Sequence, residues 1–115
     1  MAEQQKQIVD MVHLARYTGG DRALNSEVFK LFDEQTSEMV ARLRSVLAAR
    51  DLKGWKEITH TLKGAARGIG AFPFADACAE AEPLDLAGAE VEGVLGTVED
   101  RAKAVQAFIR AYLTA

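Results

Sequence analysis

The chain has 115 residues, 49% of them hydrophobic, which suits one packed domain over residues 1–115 rather than a disordered chain. Its net charge of −3 and pI near 5.4 lack the basic excess by which proteins grip nucleic-acid phosphates. With no apolar run near the roughly 20 residues a bilayer requires, no leader pattern, and a lone Cys78, a cytoplasmic protein without a membrane partner is expected.

Periodicity is helical along the chain. A short first helix is expected from about Gln5 to Tyr17, with Ile8, Val12 and Ala15 on one side. Gly19 and Gly20 stop it, and Asp21 can cap a long second helix to about Arg50. Leu24, Val28, Phe32, Gln35, Met39, Leu43, Val46 and Leu47 trace the apolar stripe of that helix. Asp51 can cap a third helix reaching about Gly70. A fourth begins near Pro73, whose fixed φ suits a first helical turn, and Pro83 disturbs it at or soon after Glu82. A last helix is expected from about Glu90 to Leu113, with Val91, Val94, Leu95, Val98, Ala102, Val105, Phe108, Ile109 and Tyr112 inward. The fold class is all-α: an antiparallel four-helix bundle with a short additional N-terminal helix.

The third helix carries the chemistry. At about 100° per residue, Trp55, Ile58, Leu62, Ala65, Ala66 and Ile69 share one face. His60 lies opposite them, with Lys56, Lys63 and Arg67 close on one side and Glu57 and Gly64 on the other. An imidazole is a competent nucleophile, and its N–P adduct keeps a high transfer potential. The adduct is anionic, so cations one turn away stabilise it and the phosphoryl group in transit. Gly64 opens space beside the ring, at a helix-propensity cost of roughly 1 kcal/mol against alanine. An exposed histidine among solvated cations is the plainer alternative.

The run His60-Thr61-Leu62-Lys63-Gly64-Ala65-Ala66 resembles the histidine phosphotransfer (HPt) signature, H-x-L-K-G followed by two small residues. Gly70 stands where that family usually has a glycine, and Cys78 and Glu82 resemble its C-x-x-x-E/Q ending. Tyr17-Thr18-Gly19-Gly20-Asp21 resembles the family's entry to the long helix, and Phe29-Lys30-Leu31-Phe32 its phenylalanine-bearing cluster, taken here as core. Arg67 falls outside the signature and is assigned by its place on the wheel. Pro83 directly after Glu82 departs from the family pattern.

The resemblance implies a phosphorelay intermediate rather than an autonomous kinase. His60 would take a phosphoryl group on its ε nitrogen from a receiver-domain aspartate and pass it to another response regulator. Lys63 would assist the phosphoryl group and Gly64 would admit the receiver; Lys56 and Arg67 join that docking surface by their place on the wheel alone. The partners implied are receiver domains of response regulators or hybrid histidine kinases, with this chain a monomer. No cofactor or metal is expected on it; the divalent cation belongs to the receiver.

Spacing also points to Glu82. With the hairpin near Gly70 to Phe72, His60 and Glu82 lie about 11 residues away on either arm, so they return to one level. Glu82 would then accept a hydrogen bond from the Nδ1–H of His60 and leave Nε2 free; the alternative is a solvated helix end.

Two other functions compete: a helical binding or dimerisation module without phosphotransfer, and the phosphotransfer part of a chemotaxis-type kinase. His13 reads as a surface histidine, and two histidines with one cysteine make no zinc pattern. Cys78 reads as a small buried hydrophobe.

Overall fold

The computed structural model describes residues 7–115. Among them run five helices: α1 (Met11–Thr18), α2 (Arg22–Ala48), α3 (Leu52–Ile69), α4 (Phe72–Ala81) and α5 (Val91–Thr114). Helices α2 to α5 form a ring in which α2 packs on α3, α3 on α4, α4 on α5 and α5 back on α2. Chain order around the ring makes neighbours antiparallel, and α1 packs against α2 and α3. This is the antiparallel bundle with an added N-terminal helix. The 27 residues of α2 set the long dimension of 44 Å.

Local chemistry explains the boundaries. Asp10, Asp21 and Asp51 each accept backbone N–H bonds in the first turn of α1, α2 and α3, satisfying donors that a helix start leaves orphaned. Gly19 and Gly70 close α1 and α3 in the left-handed conformation. Gly70 is needed twice over: its φ is +85°, and a Cβ there would stand 2.6 Å from the carbonyl oxygen of Asp10. Its own carbonyl accepts from the Asp10 N–H at 2.9 Å, tying the N-terminal segment to the end of α3. Pro83 lacks the N–H that a further turn needs, and α4 ends at Ala81 with Glu82 as C-cap.

The core is continuous through the ring. Trp55, Phe29, Phe74, Leu43, Leu62, Leu95 and Ile109 are fully buried. Phe29 meets Tyr112 edge-on at 5.0 Å, and Phe32 meets Phe74 at 6.2 Å, so the aromatic cluster early in α2 is core. Cys78 is buried as well, and that burial pushes its thiol pKa up to about 12.

Four expectations need correction. The first helix starts at Met11, not Gln5: Gln5 lies outside the described residues, and 7–10 precede the helix that Asp10 caps. Its inner face was also misassigned. Val9, Leu14 and Thr18 are buried, whereas Ile8 is exposed and Val12 is 77% exposed. In α2 the stripe is displaced at its start: Asn25, Phe29 and Thr36 go inside, while Leu24 is exposed. The Asn25 amide N–H donates to the Tyr112 hydroxyl at 3.1 Å, while its Oδ1 meets no partner among the described residues. His13 is half-buried rather than a free surface residue, with its ring edge-on to Phe72 and Tyr17.

Candidate functional site

The α3–α4 hairpin builds the site. Its sharp turn at Gly70 brings the two arms together, and His60 and Glu82 meet across them. His60 Nδ1 stands 3.2 Å from Glu82 Oε2, within hydrogen-bonding reach. The imidazole is 69% exposed, so the ring is tethered on one side and open on the other.

The second oxygen of Glu82 is occupied too. Lys63 Nζ donates to Glu82 Oε1 at 2.7 Å, a charge-assisted bond. The lysine side chain is only 19% exposed. That corrects the wheel's picture of an outward lysine: its stem lies along the hairpin and its ammonium turns to the carboxylate. Glu82 therefore bridges the imidazole and the ammonium, one oxygen to each. The carboxyl is held below its usual pKa of 4.5, first by the Lys63 hydrogen bond and then by the charges of Lys63 and His60, against some desolvation.

The other residues flanking His60 stand apart from this triad. Lys56 and Arg67 are exposed on α3, one turn before His60 and about two turns beyond it. Gly64 is exposed, and a Cβ placed on it would meet nothing within 4 Å. No close packing among the described residues demands a glycine there. The same holds for Gly68, one turn farther on.

Two supports were not foreseen. Thr59, beside His60, is fully buried and its hydroxyl donates to the Trp55 carbonyl at 2.9 Å. The indole Nε1–H of Trp55 donates to the Ala81 carbonyl at 2.8 Å, next to Glu82. Periodicity places Trp55 in the core but cannot say which carbonyl its N–H meets.

Chemically, the arrangement presents a nucleophile. A carboxylate accepting from Nδ1–H selects the tautomer whose Nε2 lone pair faces solvent. An adduct on Nε2 leaves the proton on Nδ1, and the ring then carries positive charge that Glu82 offsets. Among the described residues, no group of three or more His, Cys, Asp or Glu side chains converges as a metal site would require. No described helix is long and apolar enough to cross a membrane.

The family model "Hpt domain" matches residues 27–113, which takes in α3 and α4 whole. No curated protein matches the chain. Among solved structures, the chain is similar to the crystal structure of histidine-containing phosphotransfer protein B (HptB) from Pseudomonas aeruginosa PAO1. The two share 18% identity and a TM-score of 0.83, over 93% of this chain and 95% of that one. At that identity the likeness speaks for the fold.

Proposed function

We infer that this chain, which belongs to the Hpt domain family and is a phosphorelay carrier rather than a kinase, takes its phosphoryl group on Nε2 of His60. The observation that carries the residue assignment is the exposed imidazole held through Nδ1 by Glu82, on the turn that also carries Lys63.

The step balances with few groups. The Nε2 lone pair attacks the phosphorus of a receiver's aspartyl phosphate; an N–P bond forms, the P–O bond breaks, and the aspartate leaves as a carboxylate. The Nδ1 proton stays on the ring, facing Glu82. Lys63 neutralises that carboxylate at rest, and its remaining N–H donors are available to the phosphoryl oxygens. Return transfer to a second receiver runs the same steps backward. Receiver domains are the partners, and we place them in response regulators or hybrid histidine kinases, with this chain a cytoplasmic monomer. The divalent cation comes with the receiver.

The test is incubation of the protein with a panel of phosphorylated receivers, one at a time. At least one is expected to label it, and the label should be acid-labile and alkali-stable, as N–P bonds are. A label with the opposite stability would mean an acyl phosphate and a different acceptor.

Lys63→Ala should slow uptake by roughly 10- to 100-fold, the worth of one charge-assisted contact realised in the transition state. The Glu82 carboxyl should titrate higher in this variant, since the Lys63 bond is the largest cause of its depression. Arg67→Ala should have a smaller effect. Transfer at the wild-type rate by both variants would show that neither cation assists the phosphoryl group.

A further inference from the structure

Glu82 sits at a helix end, although its side chain must hold an angle. It is the C-cap of α4, a helix of only 10 residues without a side-chain N-cap, and Pro83 follows it. Helix ends fray, and the last carbonyls of a helix lack intrahelical partners. In a continuing helix the Ala81 carbonyl would accept from the N–H of Asp85; here the chain turns away after Glu82. The N–H of that peptide, on Glu82, donates to the Cys78 carbonyl at 3.0 Å, and its oxygen, on Ala81, is left to a further donor.

The donor is Trp55. Its indole is fully buried, as is Ala81, and Nε1–H reaches the Ala81 oxygen at 2.8 Å. The Leu84 N–H adds a second bond to the same oxygen at 3.2 Å, closing the turn. The carbonyl of Ala81 is one half of the peptide group whose other half is the backbone nitrogen of Glu82. Trp55 itself is anchored on the active helix: its carbonyl accepts from the Thr59 hydroxyl, and Thr59 is the immediate neighbour of His60. An unbroken chain of contacts thus runs from the His60 turn through Trp55 to the Glu82 peptide, and returns through the Glu82 side chain to His60 Nδ1 and Lys63 Nζ.

We propose that Trp55 is a positioning residue for phosphotransfer: its indole N–H clamps the end of α4 so that Glu82 holds the His60 tautomer with Nε2 free and keeps Lys63 alongside. Trp55 touches neither the imidazole's reactive nitrogen nor the incoming phosphoryl group; it acts through Glu82. The proposal rests on the assignment of His60 and Glu82 made above.

The clean perturbation removes one hydrogen atom's worth of chemistry. Benzothienylalanine at position 55 keeps the shape of the indole and replaces N–H by sulfur, so the core stays filled. Trp55→Phe is a second variant, carrying a packing defect in addition. Each is made in the full chain, alone and combined with Glu82→Ala, and uptake is followed from one phosphorylated receiver. The His60 tautomer is read by long-range nitrogen–proton NMR. Loss of the clamp should slow uptake by about three- to tenfold, the worth of one hydrogen bond. It should also move the tautomer balance away from Nδ1–H, with little change in melting temperature for the isostere. In the Glu82→Ala background, removing the clamp should change neither rate nor tautomer further, because the two act in series.

Equal slowing in both backgrounds, or an unchanged tautomer, would overturn the positioning role and leave Trp55 as core alone. If Glu82→Ala transfers normally while His60→Gln does not, Glu82 has no such function and the inference falls with it, though the carrier function stands. If His60→Gln transfers, the assignment of the acceptor is wrong as well.

Discussion

His60→Gln is expected to bring phosphoryl uptake down to background from every receiver that labels the wild-type protein. The substitution is nearly silent for the fold. The side chain is 69% exposed, it lies opposite the buried face of α3, and exposed substitutions of this kind usually change stability by no more than about 0.5 kcal/mol. Glutamine keeps a polar amide that can still donate to Glu82, so the Glu82–Lys63 pair need not collapse. What it lacks is the nucleophilic lone pair. Helical content and melting temperature should therefore match wild type while labelling vanishes. The chain has only one other histidine, His13, half-buried on α1 against Phe72 and Tyr17. If His60→Gln labels normally and His13→Gln does not, the acceptor has been placed on the wrong helix.

Whether a feature was legible in the sequence depended on how local its cause is. Asp21, Asp51 and Gly70 cap helices through bonds spanning a few residues, so the ends of α2 and α3 fall close to where those residue types stand. The inner face of α5 follows from a long, regular stripe, and Val91, Leu95, Val98, Ala102, Val105 and Ile109 are indeed buried. Short α1 offers only about two turns, and Val12 reads as core by type although the packing of Val9 and Leu14 turns it to solvent. Asn25 reads as surface by type, yet it is buried, and its amide N–H meets a hydroxyl 87 residues away in the chain.

The candidate site divides in the same way. Hairpin arithmetic suffices to set Glu82 level with His60, because both arms rise at the same rate from one turn. The Lys63–Glu82 bond escapes it: a wheel places the Cβ of lysine, and four further methylenes decide where the ammonium goes. Trp55 escapes it for a different reason, since its partner is a backbone carbonyl and backbone groups leave no mark in the pattern of side chains. The residues that chemistry needs were visible. So was the bond between His60 and Glu82; the bonds that Lys63 and Trp55 make were not.

Gly64 tests docking apart from chemistry. It lies one turn beyond His60, and a side chain there leans toward the N-terminus of α3, over the turn that carries the imidazole. A Cβ on Gly64 meets nothing within 4 Å, so the first atom of a longer side chain fits without displacing a neighbour. Helix propensity then predicts that Gly64→Gln stabilises the free protein by a few tenths to about 1 kcal/mol. A receiver must nevertheless bring its aspartate within bonding distance of Nε2, and the glutamine side chain would stand in its approach. Transfer is expected to fall by at least about tenfold, the equivalent of roughly 1.4 kcal/mol of lost docking. Gly68→Gln is the control, because that position is equally open and one turn farther from the ring. It should melt higher by a similar amount and hinder transfer less. Melting temperature and transfer from one phosphorylated receiver, measured on the same samples, separate the two effects. A Gly64→Gln protein that melts higher and transfers at the wild-type rate would show that the receiver does not approach over this turn.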